Sequence, residues 1–316
     1  MMVIGSDEMR DTHMSRTLKI LAGLALVLIG VGALFSPGAV LGKPLAELDH
    51  EWSVSGGELR ELQILSDHQV NVVFLESSDG SQSVSVKGQV QDEVAKAISG
   101  TRLEAGRLVV DLRQPRSFLP MFRLGFLWST PEVTVKLAPG YELDHLSVRM
   151  DAGSMNIRSV AAKTAEFTSD SGNLKLSDVT GSQIKIKADS GIIDLQNMAA
   201  DLLDVRMDSG KIAGSGVRAD TTIRLDSGVV RLDGVTGTTN IQADSGDIRL
   251  IKEDTSDADI RVDSGNVHIR LPAAFAGSLD LHTDSGRIRA PKAKNETQDR
   301  IRVHTDSGNI EIDQAE

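Results

Sequence analysis

The tripeptide Asp-Ser-Gly occurs eight times between positions 170 and 308, and successive copies begin at a nearly constant interval. A degenerate ninth copy, Asp151-Ala152-Gly153, precedes them. Each copy lies between two short runs in which apolar and polar residues alternate, as in residues 203–207 before Asp208. Such alternation is typical of half-buried β-strands, and its repetition at a fixed period is typical of a solenoid. We therefore predict an all-β fold, a single-chain β-solenoid of about nine rungs over residues 151–316.

The apolar positions of successive repeats form columns that we expect to face a narrow core. One column precedes the motif and includes Leu146, Ile184, Leu203, Ile223, Ile241, Ile260, Leu279 and Ile301. A second follows the motif and contains Leu174, Ile193, Ile212, Val230, Ile248, Val267, Ile288 and Ile310. A third, at a predicted corner, contains Val160, Val179, Met198, Val217 and Val235.

The motif itself is interpreted as a structural turn. The alternation of inward and outward residues before the motif is out of step by one residue with the alternation after it, so the chain must place one extra residue in a bend or bulge at the motif. Glycine adopts positive φ without steric cost, and Asp and Ser side chains accept hydrogen bonds from nearby backbone N–H groups. The predicted turn residues are Asp170, Asp189, Asp208, Asp226, Asp244, Asp263, Asp284 and Asp306 with Gly172, Gly191, Gly210, Gly228, Gly246, Gly265, Gly286 and Gly308.

Stacked rungs would place the motif carboxylates in a column about 4.8 Å apart, where like charges repel. Basic residues stand two positions before the motif, on the same face of the strand. We predict that these residues compensate the charge; they are Arg149, Lys187, Arg206, Arg224 and Arg261. The alternatives are calcium binding by the acidic column and polyanion binding by the basic one. The calcium-binding G-G-x-G-x-D pattern is absent, and we expect no metal site and no cofactor.

Residues 20–42 form an uncharged segment. Its length suffices for a membrane-spanning helix, which needs ~20 apolar residues. Arg10, Arg16 and Lys19 precede this segment and only Lys43 follows it closely, so the N-terminus is expected in the cytoplasm. We predict a cytoplasmic tail (1–19), a transmembrane anchor (20–42), a linker (43–60) and an extracytoplasmic bulk, which makes a single-pass protein of the cell membrane. The alternative is a signal peptide cleaved near residues 40–42.

Residues 61–150 contain short alternating strands without the motif, and we expect a non-repeat β cap region before the solenoid repeats of 151–316. Within it, residues 115–131 break the pattern and hold four of the ten aromatic residues, Phe118, Phe122, Phe126 and Trp128. One interpretation is a cap that buries the apolar edge of the first rung. The other is a docking loop for the membrane surface or a partner.

Multiple copies of h-x-h-x-x-[DS]-S-G-x-h-x-h behind one N-terminal anchor resemble the bacterial toast-rack β-strand-repeat family of adhesin-like envelope proteins, a domain of unknown function. The resemblance covers residues 61–316, including the segment 133–140 that leads into the first rung. It implies an envelope protein linked to stress sensing or surface contact. The family supplies no catalytic or ligand residues to carry over.

Composition argues against several functions. The net charge of −11 opposes nucleic-acid binding, and the absence of cysteine excludes thiolate chemistry. No Trp or Tyr lies within residues 151–316, and no phosphate loop or hydrolase motif is present. His282 and His304 are expected close together as surface histidines.

We therefore expect a non-catalytic binding or stress-sensing accessory module of the cell envelope. The alternatives are a passive structural or adhesive rod and, third, a β-helix enzyme acting on polysaccharide. The expected partners are the membrane and an envelope-stress membrane protein, because the cytoplasmic tail (1–19) is too short to signal by itself. An exposed C-terminal rung would also allow self-association.

Overall fold

The computed structural model describes residues 45–54, 59–114 and 130–315. The predicted tail (1–19) and anchor (20–42) lie outside the described residues, as do Phe118, Phe122, Phe126 and Trp128. Within the described ranges, no helix is long and apolar enough to cross a membrane. The anchor and the docking or cap role of the aromatic segment therefore stay predictions.

The described residues form one helix and fourteen strands. The helix, α1, spans Asp92–Gly100 and buries Val94 and Ile98. The strands are β1 (Leu45–Ser53), β2 (Glu61–Ser66), β3 (Val70–Glu76), β4 (Ser83–Gln91), β5 (Arg107–Asp111), β6 (Glu132–Leu137), β7 (Leu143–Thr236), β8 (Thr239–Lys252), β9 (Ala258–Ser264), β10 (Val267–Leu271), β11 (Ser278–Ser285), β12 (Ile288–Arg289), β13 (Arg300–Ser307) and β14 (Ile310–Gln314).

The repeat region is a stack of parallel layers, so the all-β, solenoid-like prediction is confirmed. Five rungs lie within the continuously paired β7, because parallel pairing runs through the turns as well as the strands. For example, Ser227 and Gly228 of β7 pair with Ser245 and Gly246 of β8. We call the strand before each motif the leading strand and the strand after it the trailing strand. Leading strands pair with leading strands, and trailing strands with trailing strands.

The predicted inward columns form the core. The described residues of the corner column, from Val160 to Val235, are all buried. The leading and trailing columns are buried too, except at one rung, where Leu279 is only partly buried and Ile288 is 45% exposed. That exception marks one end of the stack.

At the other end of the stack, the motif-free strands add two further parallel layers. Strands β2 and β3 pair with the first motif rung in β7, and β5 and β6 pair with β2 and β3 in turn. Strand β4 then pairs antiparallel with β6, and β1 antiparallel with β4. Eleven parallel layers result, two more than the nine rungs marked by the motif.

The order of layers in space departs from their order in the chain at the C-terminal end. Strand β13 pairs with β9 on one side and β11 on the other, and β14 lies likewise between β10 and β12. The last rung of the sequence is therefore inserted beneath the preceding one. The expectation that the C-terminal rung is the exposed end is wrong, since β11 and β12 cover it. Self-association itself stays a prediction.

A ladder of motif glycines follows the same spatial order. A Cβ on Gly228 would overlap the carbonyl oxygen of Gly210, and a Cβ on Gly308 would overlap that of Gly265. Gly228 also has φ of 143° and Gly308 φ of 151°, a conformation that side chains disfavour. Glycine is thus required twice at these turns, for its backbone conformation and for the close approach of the neighbouring layer.

We predict that Gly228→Ala lowers the melting temperature by about 10 °C, because strain and overlap together cost roughly 3 kcal/mol. Gly100→Ala is the matched control, since its Cβ would meet no atom within 4 Å. Asp226→Asn changes the same turn and should shift the melting temperature by less than about 3 °C, because Asp226 is exposed. Thermal unfolding followed by circular dichroism measures all three. Wild-type melting of Gly228→Ala would refute the glycine requirement.

A second prediction concerns the inverted layers. Backbone N–H groups of β11 that face away from β13 have no neighbouring described strand, whereas β13 is paired on both sides. Residues 279–283 should therefore exchange amide hydrogen faster than residues 301–305, although both carry the same alternating pattern. Hydrogen–deuterium exchange with mass spectrometry compares the two segments in one sample. Equal protection, or stronger protection of 279–283, would contradict the inverted order.

Candidate functional site

The motif aspartates lie on the outer surface at the bend of each rung, where Asp170, Asp189 and their counterparts were expected. The motif glycines from Gly172 to Gly265, and Gly308, adopt positive φ. Among the described residues, no group of three or more His, Cys, Asp or Glu side chains is placed to hold a metal ion. The positive φ of the motif glycines is the backbone conformation that the predicted turn requires.

The predicted charge-compensating column makes two kinds of ion pair. Arg149 lies 3.6 Å from Asp170, and Lys187 lies 4.0 Å from Asp189, both motif carboxylates. Three other members contact acidic residues of the leading strand instead. Arg206 and Arg224 lie 3.1 Å and 3.6 Å from Asp204, and Arg261 lies 2.9 Å from Asp259.

These contacts show which carboxylates serve as counterions for the arginines of the leading strands. Asp204 and Asp259 stand two positions before Arg206 and Arg261, and their side chains are 29% exposed. Arg302 of β13 adds contacts of 3.6 Å to Asp259 and 3.1 Å to Asp280. The sequence reasoning missed this second acidic column, although the spacing Asp-x-Arg in residues 204–206 and 259–261 carries the signal. All five predicted basic residues have a carboxylate within 4.0 Å.

The histidine pair lies at the exposed end of the stack. His282 and His304 are neighbours on β11 and β13, and their rings stack with centroids 5.0 Å apart and planes at 2°. Their Nε2 atoms face Asp284 at 2.8 Å and Asp306 at 3.2 Å. The histidines thus take the place of Arg261 and its counterparts on the last two layers, beside the motif aspartates.

The outer face of the trailing strands, which we call the trailing side, carries a pair of arginines without ion pairs. It differs in this from the outer face of the leading strands, the leading side, where the arginines contact aspartates. Arg231 of β7 and Arg249 of β8 are register partners on adjacent parallel strands, whose backbones lie about 4.8 Å apart. Both side chains are exposed. Among the described residues, neither guanidinium has a carboxylate within ion-pair distance. Two adjacent cations therefore face solvent without a counterion from the described protein.

The two arginines line an open concavity of about 530 Å³ on the trailing side, which we call the arginine groove. Its other lining residues are Val229, Val230, Asp233, Asp247, Ile248, Asn266 and His268. Asn266 is fixed by Asp247, whose Oδ1 accepts from its backbone N–H and its Nδ2, both at 3.0 Å. His268 Nε2 lies 2.9 Å from Asp313. The groove thus combines fixed polar groups with two free cations.

A buried lysine interrupts the apolar corner column. Lys252 pairs in register with Val235, and its side chain is fully buried. Its Nζ donates to the Gly237 carbonyl at 2.6 Å and to Ser256 Oγ at 2.5 Å, and it lies 3.0 Å from Asp254 Oδ1. Burial lowers the pKa of Lys252, although the hydrogen bond to Asp254 opposes that shift. This residue fixes the loop over residues 253–257 and has no counterpart in the predicted site.

Lys252 generates a pH prediction. A lysine whose pKa is lowered in the folded state binds fewer protons there than in the unfolded chain, so its contribution to the free energy of unfolding rises with pH. The rise occurs between the lowered pKa and about 10.5. Relative to Lys252→Met, wild-type stability should therefore increase from neutral to alkaline pH, measured by denaturant unfolding at each pH. A stability difference that stays constant or falls would contradict the burial of a charged lysine.

Comparison with known proteins places the chain in a family. The family model described as Toastrack DUF4097 matches residues 59–313. A solved structure named as a "putative adhesin" from Parabacteroides distasonis is 13% identical, with a TM-score of 0.51 over 85% of this chain and 97% of its own. Another so named, from Bacteroides fragilis, is 12% identical, with a TM-score of 0.42 over 86% and 98%. A "putative lipid binding protein" from Parabacteroides distasonis is 14% identical, with a TM-score of 0.47 over 85% and 97%.

No curated protein matches the sequence. Because its sequence identity is so low, the first of these structural likenesses shows the fold alone. The family match covers most of the chain, from just before β2 into β14. This chain belongs to the Toastrack DUF4097 family.

Proposed function

We propose that the protein is a non-catalytic binding module of the cell envelope, anchored by residues 20–42 and carrying its layered β-domain outside the cytoplasm. The observation that carries this proposal is the contrast between the two sides of the stack. On the leading side, every member of the charge-compensating column has a carboxylate within 4.0 Å, whereas the trailing side presents an open groove with two cations that lack a counterion among the described residues. A surface that is built to bind needs such unsatisfied groups, and a purely structural rod does not.

Sensing of envelope stress is the form of this function that the anchor favours. In this form of the function, a bound state of the outer domain would be reported through a partner protein in the membrane. The aromatic segment with Phe118, Phe122, Phe126 and Trp128 is the proposed contact for that partner or for the membrane surface. Its sequence combines apolar side chains with Arg116 and Arg123.

A passive rod is the second candidate, and the glycine ladder favours it. Each layer is fixed against the next by close backbone contact, which gives a stiff body without any ligand. The candidates differ in what the arginine groove does in the cell. Loss of its two charges would leave a passive rod fully functional and would impair a binding module.

The anchor predicts a defined topology. With an epitope tag at each end, spheroplast treatment with protease should remove the C-terminal tag and spare the N-terminal tag, and the protein should sediment with membranes. The double change Leu26→Arg and Leu28→Arg should abolish membrane retention, because each charge costs about 2.5–3.5 kcal/mol at the centre of a bilayer. Release of a shortened protein that lacks the predicted anchor would show a cleaved signal peptide instead.

A further inference from the structure

We infer that the arginine groove binds an anionic saccharide, with a carboxylate of the sugar held between Arg231 and Arg249. This inference rests on the proposed binding function and names its ligand class. An exposed arginine pairs with a carboxylate through two parallel N–H···O bonds, and a guanidinium is weakly hydrated compared with an ammonium. Two such groups on adjacent strands offer donors on both sides of one bound carboxylate.

The need for an external anion follows from comparison within the protein. Arg206 and Arg224 also occupy neighbouring layers, on the leading side, and Asp204 lies between them as a shared counterion at 3.1 Å and 3.6 Å. On the trailing side, Asp233 and Asp247 line the groove, but among the described residues no carboxylate lies within 4.0 Å of the Arg231 or Arg249 guanidinium. The arrangement on the leading side thus shows what the trailing pair lacks, a carboxylate placed between two arginines.

The remaining groove residues favour a sugar acid, which carries hydroxyl groups beside its carboxylate, over a polyphosphate chain, which carries no such hydroxyl groups. Asp233 and Asp247 line the same concavity, and their carboxylates would repel a chain that carries a negative charge on every side. They accept hydrogen bonds from hydroxyl groups instead. Asn266 lies beside them with its amide held in place by Asp247. A ring that bears one carboxylate and several hydroxyls matches both sets of groups.

The absence of aromatic platforms selects against neutral sugars. Within residues 151–316 the only aromatic side chains of Phe, Tyr or Trp are Phe167 and Phe275, and both are buried. A neutral saccharide therefore finds no Phe, Tyr or Trp ring on which to stack in this groove. Charge has to supply the attraction, so we expect binding that weakens as salt is raised.

The test is binding of the full-length protein, in detergent micelles, to polygalacturonate, with dextran as the neutral polymer and polyphosphate as the phosphate polymer. Biolayer interferometry at low salt should show binding to polygalacturonate, none to dextran, and weaker binding to polyphosphate. Arg231→Gln with Arg249→Gln should weaken binding to polygalacturonate at least tenfold. Arg206→Gln with Arg224→Gln removes the same charge from the leading side and should change binding less than twofold.

Three results would overturn the inference. Equal loss in both double variants would show attraction by overall charge rather than a site. Stronger binding to polyphosphate than to polygalacturonate would make phosphate the ligand. If folded protein, shown by its wild-type melting temperature, bound none of the three polymers, the saccharide assignment would be wrong. The topology experiment tests the anchored module separately from this assignment.

Discussion

The close contact between glycines of adjacent layers is the constraint on which the rest of the structure depends. At each turn, the glycine of one layer lies against the carbonyl of the next, leaving no room for a Cβ. Glycine at this position lets the hydrogen-bonded spacing of the parallel strands continue through the turns, with leading strands in register with leading strands and trailing with trailing. The inward columns then stack into one continuous core, and the outward side chains stack into columns of charge. Both the stability of the fold and the chemistry of its surface follow from that registration.

Registration has opposite consequences on the two sides. On the leading side, Arg206 and Arg224 contact Asp204 and Arg261 contacts Asp259, so these cations have counterions from the protein. On the trailing side, Arg231 and Arg249 come together without a described counterion and leave a concavity of about 530 Å³. The same repeat thus produces one side whose arginines have counterions from the protein and another with two arginines that have none among the described residues, and the difference lies in a few outward residues. In a stacked fold of this kind, a column of outward charged side chains without counterions from the protein can serve as a binding surface.

The alternation of apolar residues and the interval between motifs were enough to predict the all-β solenoid, its inward columns and its turns, because each depends on neighbours close in sequence. The order of the last two layers was not predictable in this way. Residues 279–283 and 301–305 carry the same pattern, so either segment fits beside β9, and only long-range packing decides between them. Lys252 was missed because a charged residue interrupts the apolar pattern, and its partners Gly237, Asp254 and Ser256 become visible only in three dimensions. The counterions of Arg206 and Arg261 were not predicted because each arginine has an aspartate two positions before it and another two positions after it on the same face, and only the side-chain geometry decides between them.

The most direct test of this account is the spatial order of the layers, probed with pairs of cysteines in a chain that has none of its own. Arg261 is a register partner of His304, and His304 of His282, whereas Arg261 and His282 are separated by one layer. Adjacent strands lie about 4.8 Å apart, within the range of a disulfide, and strands two layers apart lie beyond it. Under mild oxidation, the pair Arg261→Cys and His304→Cys should form a disulfide, and the pair Arg261→Cys and His282→Cys should stay reduced. The reverse result would mean that the layers stack in chain order, and would contradict the glycine ladder that passes from Gly265 through Gly308 to Gly286.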